Sequence, residues 1–232
     1  MKSYYTSRHE EAMKSYYTSR HAAHYNRTWK TFLQKTLDAA SAAIDREELK
    51  LHTQRSQTPL HILDAACGTG LFLKRLVRLF PSAELYGIDA STDMLAQAHL
   101  NLAGYPNIHL QRVRLSGEGE ADLPFPPAFF DVITCTNVLH YLQKPAAVLN
   151  SFREMLSAQG QLVVEDYVLR GLPFLWKRVE WAIRVYDPEH HALFSPQEGQ
   201  DLCHQVDLPV VMAQTFPIDL LCQGWVIRAI RP

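Results

Sequence analysis

Basic residues are in no excess: 23 Lys and Arg stand against 24 Asp and Glu, a formal net charge of -1. That removes the electrostatic footprint by which proteins hold nucleic acid or an anionic membrane surface. Cysteine is scarce, with four in 232 residues and no C-x-x-C pair. Cys67, Cys135, Cys203 and Cys222 read as reduced thiols, not as a disulfide framework or a metal site. No apolar run reaches the roughly 18 residues that a transmembrane helix needs, so no membrane insertion is expected. The first residues, Met1-Lys2-Ser3-Tyr4-Tyr5, lack the apolar core of a signal peptide, and the expected location is the cytoplasm. What is present is ordinary for a globular protein: 47% hydrophobic and 20% charged residues. The length suits one α/β domain with a large core and a small appendage.

The chain begins with a repeat. Met1 to His9 reads MKSYYTSRH, and Met13 to His21 reads the same. Two copies at this spacing do not make a solenoid. Residues 1–21 read as a duplicated extension, with Met13 the more natural start and residues 1–12 dispensable. From Ala22 to Lys50, Tyr25, Trp29, Phe32, Leu33, Leu37, Ala40 and Ile44 recur at helical spacing, which predicts one amphipathic helix. The polar stretch from Arg46 to Pro59 reads as a helix end and linker. Strands are expected at Leu60–Asp64, Glu84–Ile88, Ile108–Leu115, Phe130–Thr136 and Gln161–Asp166. Helices are expected at Leu71–Phe80, at Met94–Leu102 behind Ser91-Thr92-Asp93, and at Pro145–Leu156. Ala158-Gln159-Gly160 reads as a turn. Asp131 reads as a structural cap at a strand start. Ser195-Pro196-Gln197-Glu198 has the grammar of a capped helix start. Two closing strands, Val210–Phe216 and Gly224–Ile230, form a hairpin at one sheet edge. The alternation predicts a doubly wound, mostly parallel seven-stranded sheet with right-handed crossovers. Residues 22–232 are expected to form one domain, with residues 172–194 inserted as a helical lid.

The chemistry centres on Asp64-Ala65-Ala66-Cys67-Gly68-Thr69-Gly70. A strand ends in an Asp, a small-residue turn follows, and a helix begins at Leu71. Glycines there let a ligand approach the backbone, and the helix aims its free N–H groups and positive dipole end at that ligand. Asp89 closes the second strand, where a carboxylate can accept from two ribose hydroxyls. A nicotinamide-dinucleotide fingerprint would need a third glycine, but Leu73 stands there.

These residues resemble the class I S-adenosylmethionine-dependent methyltransferases, in the small-molecule, ubiquinone/menaquinone-like branch. The family's D-x-G-x-G-x-G is matched by Asp64–Gly70, with Ala66 at its first glycine. Its acidic strand-two end is matched by Asp89. Its LPF…FDVV…NVLHH stretch is matched by Leu123-Pro124-Phe125, Phe130-Asp131-Val132-Ile133 and Asn137-Val138-Leu139-His140-Tyr141. The resemblance implies S-adenosylmethionine as cofactor, passing over Ala66, Gly68 and Gly70. Asp64 would order the methionine end and Asp89 the ribose. Ala90 and Met94 would border the adenine, and Asn137 would sit beside the sulfonium. The family's acidic-Ala pair after strand three is missing, which leaves Leu115 or Glu118 for the adenine.

Methyl transfer is an in-line displacement, so the protein orients its reactants and excludes water. A base is needed only for some acceptors, and His140 is the candidate. Glu165 or Asp166, at the end of strand five, should point at the site. The acceptor is expected to be a small, apolar or aromatic molecule meeting Tyr25, Tyr141, Trp176, Trp181 and Tyr186. His190 and His191 lack a third ligand, so no metal is expected. The Asn/Asp-Pro-Pro-aromatic motif of adenine and glutamine methylation is absent, which again speaks against nucleic acid. The alternative is a protein that binds S-adenosylmethionine without transferring its methyl.

Overall fold

The computed structural model describes residues 19–116, 123–170 and 190–232. Residues 1–18 of the duplicated start, Glu118, Trp176, Trp181, Tyr186 and most of the expected lid lie outside them. Strands β1 (His61–Ala65), β2 (Glu84–Asp89), β3 (Ile108–Arg112), β4 (Phe130–Thr136), β5 (Leu156–Leu169), β6 (Val210–Pro217) and β7 (Cys222–Ile230) form one sheet. Its order is β3-β2-β1-β4-β5-β7-β6. The first five strands run parallel, and β7 lies antiparallel between β5 and β6. This is the doubly wound sheet with an antiparallel edge pair that the alternation predicts. No helix among the described residues is long and apolar enough to cross a membrane.

The expected helix over Ala22–Lys50 is instead three helices: α1 (Ser19–Thr28), α2 (Lys30–Ala43) and α3 (Arg46–Ser56). Trp29, at φ -100° and ψ 16°, breaks the first pair. Ile44 turns extended, and the Asp45 side chain accepts from Glu48 N at 3.1 Å to start α3. The stretch from Arg46, expected as a helix end and linker, is a helix of its own through Ser56. It has little apolar periodicity, since only Leu49 is buried. Its start carries a capping signal, Asp45 with Glu48 three positions on.

The helices α2, α4 (Leu71–Leu79) and α5 (Thr92–Leu102) share one face of the sheet. Leu37, Ala40, Leu73, Leu76 and Ala98 are buried there against Ile62, Leu85, Val163 and Val226. On the other face α6 (Pro145–Met155) and α7 (Pro196–Gln205) bury Leu149, Phe152 and Cys203 against Leu162, Val164 and Trp225. Each fully buried large apolar side chain contributes roughly 1.5–3 kcal/mol. Ser195 and Glu198 form a reciprocal capping box on α7. Among the described residues no helix covers this second face between β3 and β4; Phe125 and Phe129 pack there on Tyr86, and Phe129 stacks on His61.

Three strand bounds also shift. β3 ends at Arg112, short of Leu115. β1 extends through Ala65. β5 runs straight through the expected turn, because Gln159 at φ 62° forms an irregularity paired with β7's end through Gln159 N to Arg231 O at 3.0 Å. Asp131 is structural, as expected: its carboxylate accepts from His61 N at 2.9 Å and from Ser157 Oγ at 3.0 Å, joining the starts of β1 and β5.

Gly70 has φ +77°, and a Cβ there would stand 2.6 Å from Leu102 Cδ1. Its bareness serves the packing of the turn on α5. Gly70→Ala is expected to cost about 2–3 kcal/mol, from left-handed strain plus overpacking. Urea unfolding measures this; an unchanged midpoint refutes it.

Candidate active site

The turn after β1 alternates three left-handed residues: Ala66 at φ 63°, Gly68 at 53° and Gly70 at 77°. Cys67 N donates to Ile88 O at 2.8 Å, so the turn is fastened to β2. Asp89 completes the fastening. Its Oδ2 accepts from Gly68 N at 2.8 Å and its Oδ1 from Ser91 N at 2.8 Å. Burial pushes the Asp89 carboxyl up, and the N–H groups of Ser91, Gly68 and Ala90 pull it back. A Cβ on Gly68 would meet nothing within 4 Å. That open side faces the cavity which the turn lines, so the backbone is bare where a ligand could lie.

Asp64 lies at the cavity floor, 1% exposed. Thr134 Oγ1, on the neighbouring strand, donates to its Oδ1 at 2.9 Å. Burial raises its pKa to about 7; the Thr134 bond lowers it and the Asp89 charge adds to the rise. Thr134 is a residue that sequence reasoning missed, and its register opposite Asp64 was its only signal.

The cavity gathers most of the predicted set. Asp64, Ala66, Gly68, Asp89, Ala90, Met94, Leu115, Asn137, Tyr25 and Tyr141 all line it. Leu33 and Leu37 of α2, Val113 and Leu142 line it as well, and were not foreseen. Gly70 does not line it. The first helix reaches the site by a contact that no motif announces. Thr69 Oγ1 donates to Asn26 Oδ1 at 2.6 Å, and Asn101 Nδ2 holds Thr69 O at 2.9 Å.

His140 is not among the cavity-lining residues, contrary to expectation. It is 3% exposed, with Nδ1 2.8 Å from Asp166 Oδ1 and its backbone N donating to Asp166 Oδ2 at 3.1 Å. A bonded Nδ1–H fixes the ring's tautomer and orientation. The His140 carbonyl accepts from His191 N at 2.8 Å, and Tyr141 takes the cavity wall instead. Glu165 and Asp166 do not line the cavity either. Asp166 is spent on His140, while Glu165 lies on the opposite sheet face beneath α2.

The Asp64 environment generates a pH prediction. A carboxyl raised from near 4 to about 7 on folding contributes stability that is fully present below pH 4 and lost as pH rises towards 7. Relative to Asp64→Asn, the wild type should lose stability across that window, by about 1.4 kcal/mol per pH unit at the steepest. Denaturant titrations of both proteins from pH 4 to 8 check it; parallel curves refute it.

A protein-family profile described as a methyltransferase domain matches residues 63–162. The chain is 30% identical to a malonyl-[acyl-carrier protein] O-methyltransferase of Halalkalibacterium halodurans, over 47% of this chain and 40% of that one. It is 27% identical to a ubiquinone biosynthesis O-methyltransferase of Paracidovorax citrulli, over 72% of this chain and 70% of the relative. The chain spans between 26% and 53% of three of the curated relatives that it matches. Among solved structures, the YcgJ protein of Bacillus subtilis superposes with a TM-score of 0.62 at 18% identity, over 80% of this chain and 98% of that one. Motif, sheet order and relatives agree: residues 63–162 match a methyltransferase domain, and the chain is similar to S-adenosylmethionine-dependent methyltransferases.

Proposed function

We propose that the protein transfers a methyl group from S-adenosylmethionine to a small, apolar or aromatic acceptor. One observation carries the cofactor part. Gly68 turns an open, left-handed backbone position to the cavity while its N–H is held by the Asp89 carboxylate. A backbone so bared fits a ligand lying across it, and a carboxylate at the end of β2 fits a vicinal diol.

The residues divide the work. Asp89 keeps a second lone pair on each oxygen for the ribose hydroxyls. Asp64 offers a buried carboxylate to the cofactor's ammonium, a partner that would draw it to its ionised form. Ala90, Met94 and Leu115 border the adenine, and Asn137 flanks the reacting end. When bound, the cofactor supplies a methyl on a positively charged sulfur. The chain's part is then to align the acceptor opposite that methyl and keep water out. Leu33, Leu37, Tyr141 and Leu142 supply apolar walls for it, and Tyr25 covers it from α1. The name of the ubiquinone-pathway relative supports a small aromatic acceptor. His140 acts as a positioning residue, holding Tyr141 at the wall and the chain at His191 in place.

Titration calorimetry with S-adenosylmethionine tests the reading. The wild type should bind, and Asp89→Ala should bind on the order of 100-fold more weakly, the loss of two charge-assisted hydrogen bonds. No binding by the wild type overturns the assignment. Release of S-adenosylhomocysteine with phenols, amines or quinone precursors distinguishes a transferase from a protein that only holds the cofactor.

A further inference from the structure

We propose that the cavity wall beneath α2, at Thr136 and Asn137, receives the nitrogen of an amine-bearing methyl acceptor, with Glu165 and Asn137 as its hydrogen-bond acceptors. The inference rests on the methyl-transfer reading and names the acceptor's chemical class.

Glu165 is fully buried, and neither of its carboxyl oxygens has a partner. The side-chain oxygen of Asn137 is buried and unpartnered too. The two residues are neighbours: Asn137 N donates to Glu165 O at 2.9 Å. Glu165 is in parallel register with Thr136, so both side chains leave the same face of the sheet, and Thr136 and Asn137 line the cavity. The Asn137 amide has a fixed direction. Thr36 Oγ1 donates its only hydrogen to Leu33 O at 3.3 Å, so it must accept from Asn137 Nδ2, at 3.1 Å. The amide oxygen therefore points away from Thr36.

Three buried oxygens then share at most one hydrogen, that of a neutral Glu165. Burial, with Asp166 nearby, pushes the Glu165 carboxyl well above its usual range. Each orphaned buried polar group costs stability and calls for an explanation. Neither of two nearby cations bonds Glu165. Lys35, next to Thr36, donates to Ile218 O at 2.5 Å. Arg228, two residues along β7 from Glu165's register partner Val226, reaches Ala43 O and Asp45 through Nη1, and its buried Nε makes no bond to Glu165.

The missing component is a group rich in donors and free of negative charge. A hydroxyl brings one hydrogen; a primary amine brings two, and three as ammonium. A carboxylate or phosphate would meet repulsion from Glu165 and Asp64. Leu33 and Leu37, which line the cavity, suit an apolar body behind the nitrogen.

The test compares 2-phenylethylamine with 2-phenylethanol by calorimetry, each added to protein saturated with S-adenosylhomocysteine. The amine should bind the wild type at least tenfold more tightly. Glu165→Gln and Glu165→Met should hold S-adenosylhomocysteine as the wild type does and lose that preference. The Met variant fills the same space without a polar end, which guards against a Gln variant that fails to fold. Equal or tighter binding of the alcohol, binding of neither, or a preference that survives both substitutions overturns the inference alone. A wild type that does not bind S-adenosylhomocysteine overturns the cofactor reading with it.

Discussion

The Asp89 carboxylate is the constraint on which the site depends. Its two oxygens accept from Gly68 N and Ser91 N, so one side chain fixes the turn after β1 and the helix start after β2 together. Without it, the turn would be tied to β2 and α5 through Cys67 N to the Ile88 carbonyl and Asn101 Nδ2 to Thr69 O. The left-handed position at Ala66 persists because both ends of the turn are held. Backbone strain of this kind, about 1–3 kcal/mol per residue, survives only where the surroundings over-determine it.

The same region concentrates acid. Asp64 and Asp89 stand at the carboxyl ends of β1 and β2, and Glu165 and Asp166 lie within β5 beside the end of β4, while Arg114 is the only Lys or Arg among the described residues lining the cavity. Two solutions to the desolvation of such groups coexist. Asp64 and Asp166 are satisfied by Thr134 and His140. Glu165 is not, and the stability lost there is the kind that a binding site trades away. An acidic pocket also matches a cofactor that carries a sulfonium and an ammonium.

Much of this was legible in the sequence. Asp64–Gly70, Asp89 and Asn137 announce themselves because turn chemistry and strand ends leave local signatures, and the sheet order follows from the alternation of strands and helices. What was hidden depends on contacts between distant segments. Thr134 reads as an ordinary β-branched strand residue until register sets it against Asp64. His140 follows a strand end and was expected at the cavity; only the fold reveals that Asp166 draws it inward. Gly70 matches a ligand-binding pattern, yet its neighbour is Leu102. The helix at Arg46–Ser56 lacked an apolar face, so its cap at Asp45 was outweighed by its polarity.

The break at Trp29 separates α1 from α2, and α1 meets the glycine turn through Asn26 and Thr69. Tyr25 on that helix forms part of the cavity wall. One short helix therefore couples the cavity wall to the glycine turn, so a change at Asn26 or Thr69 reaches both.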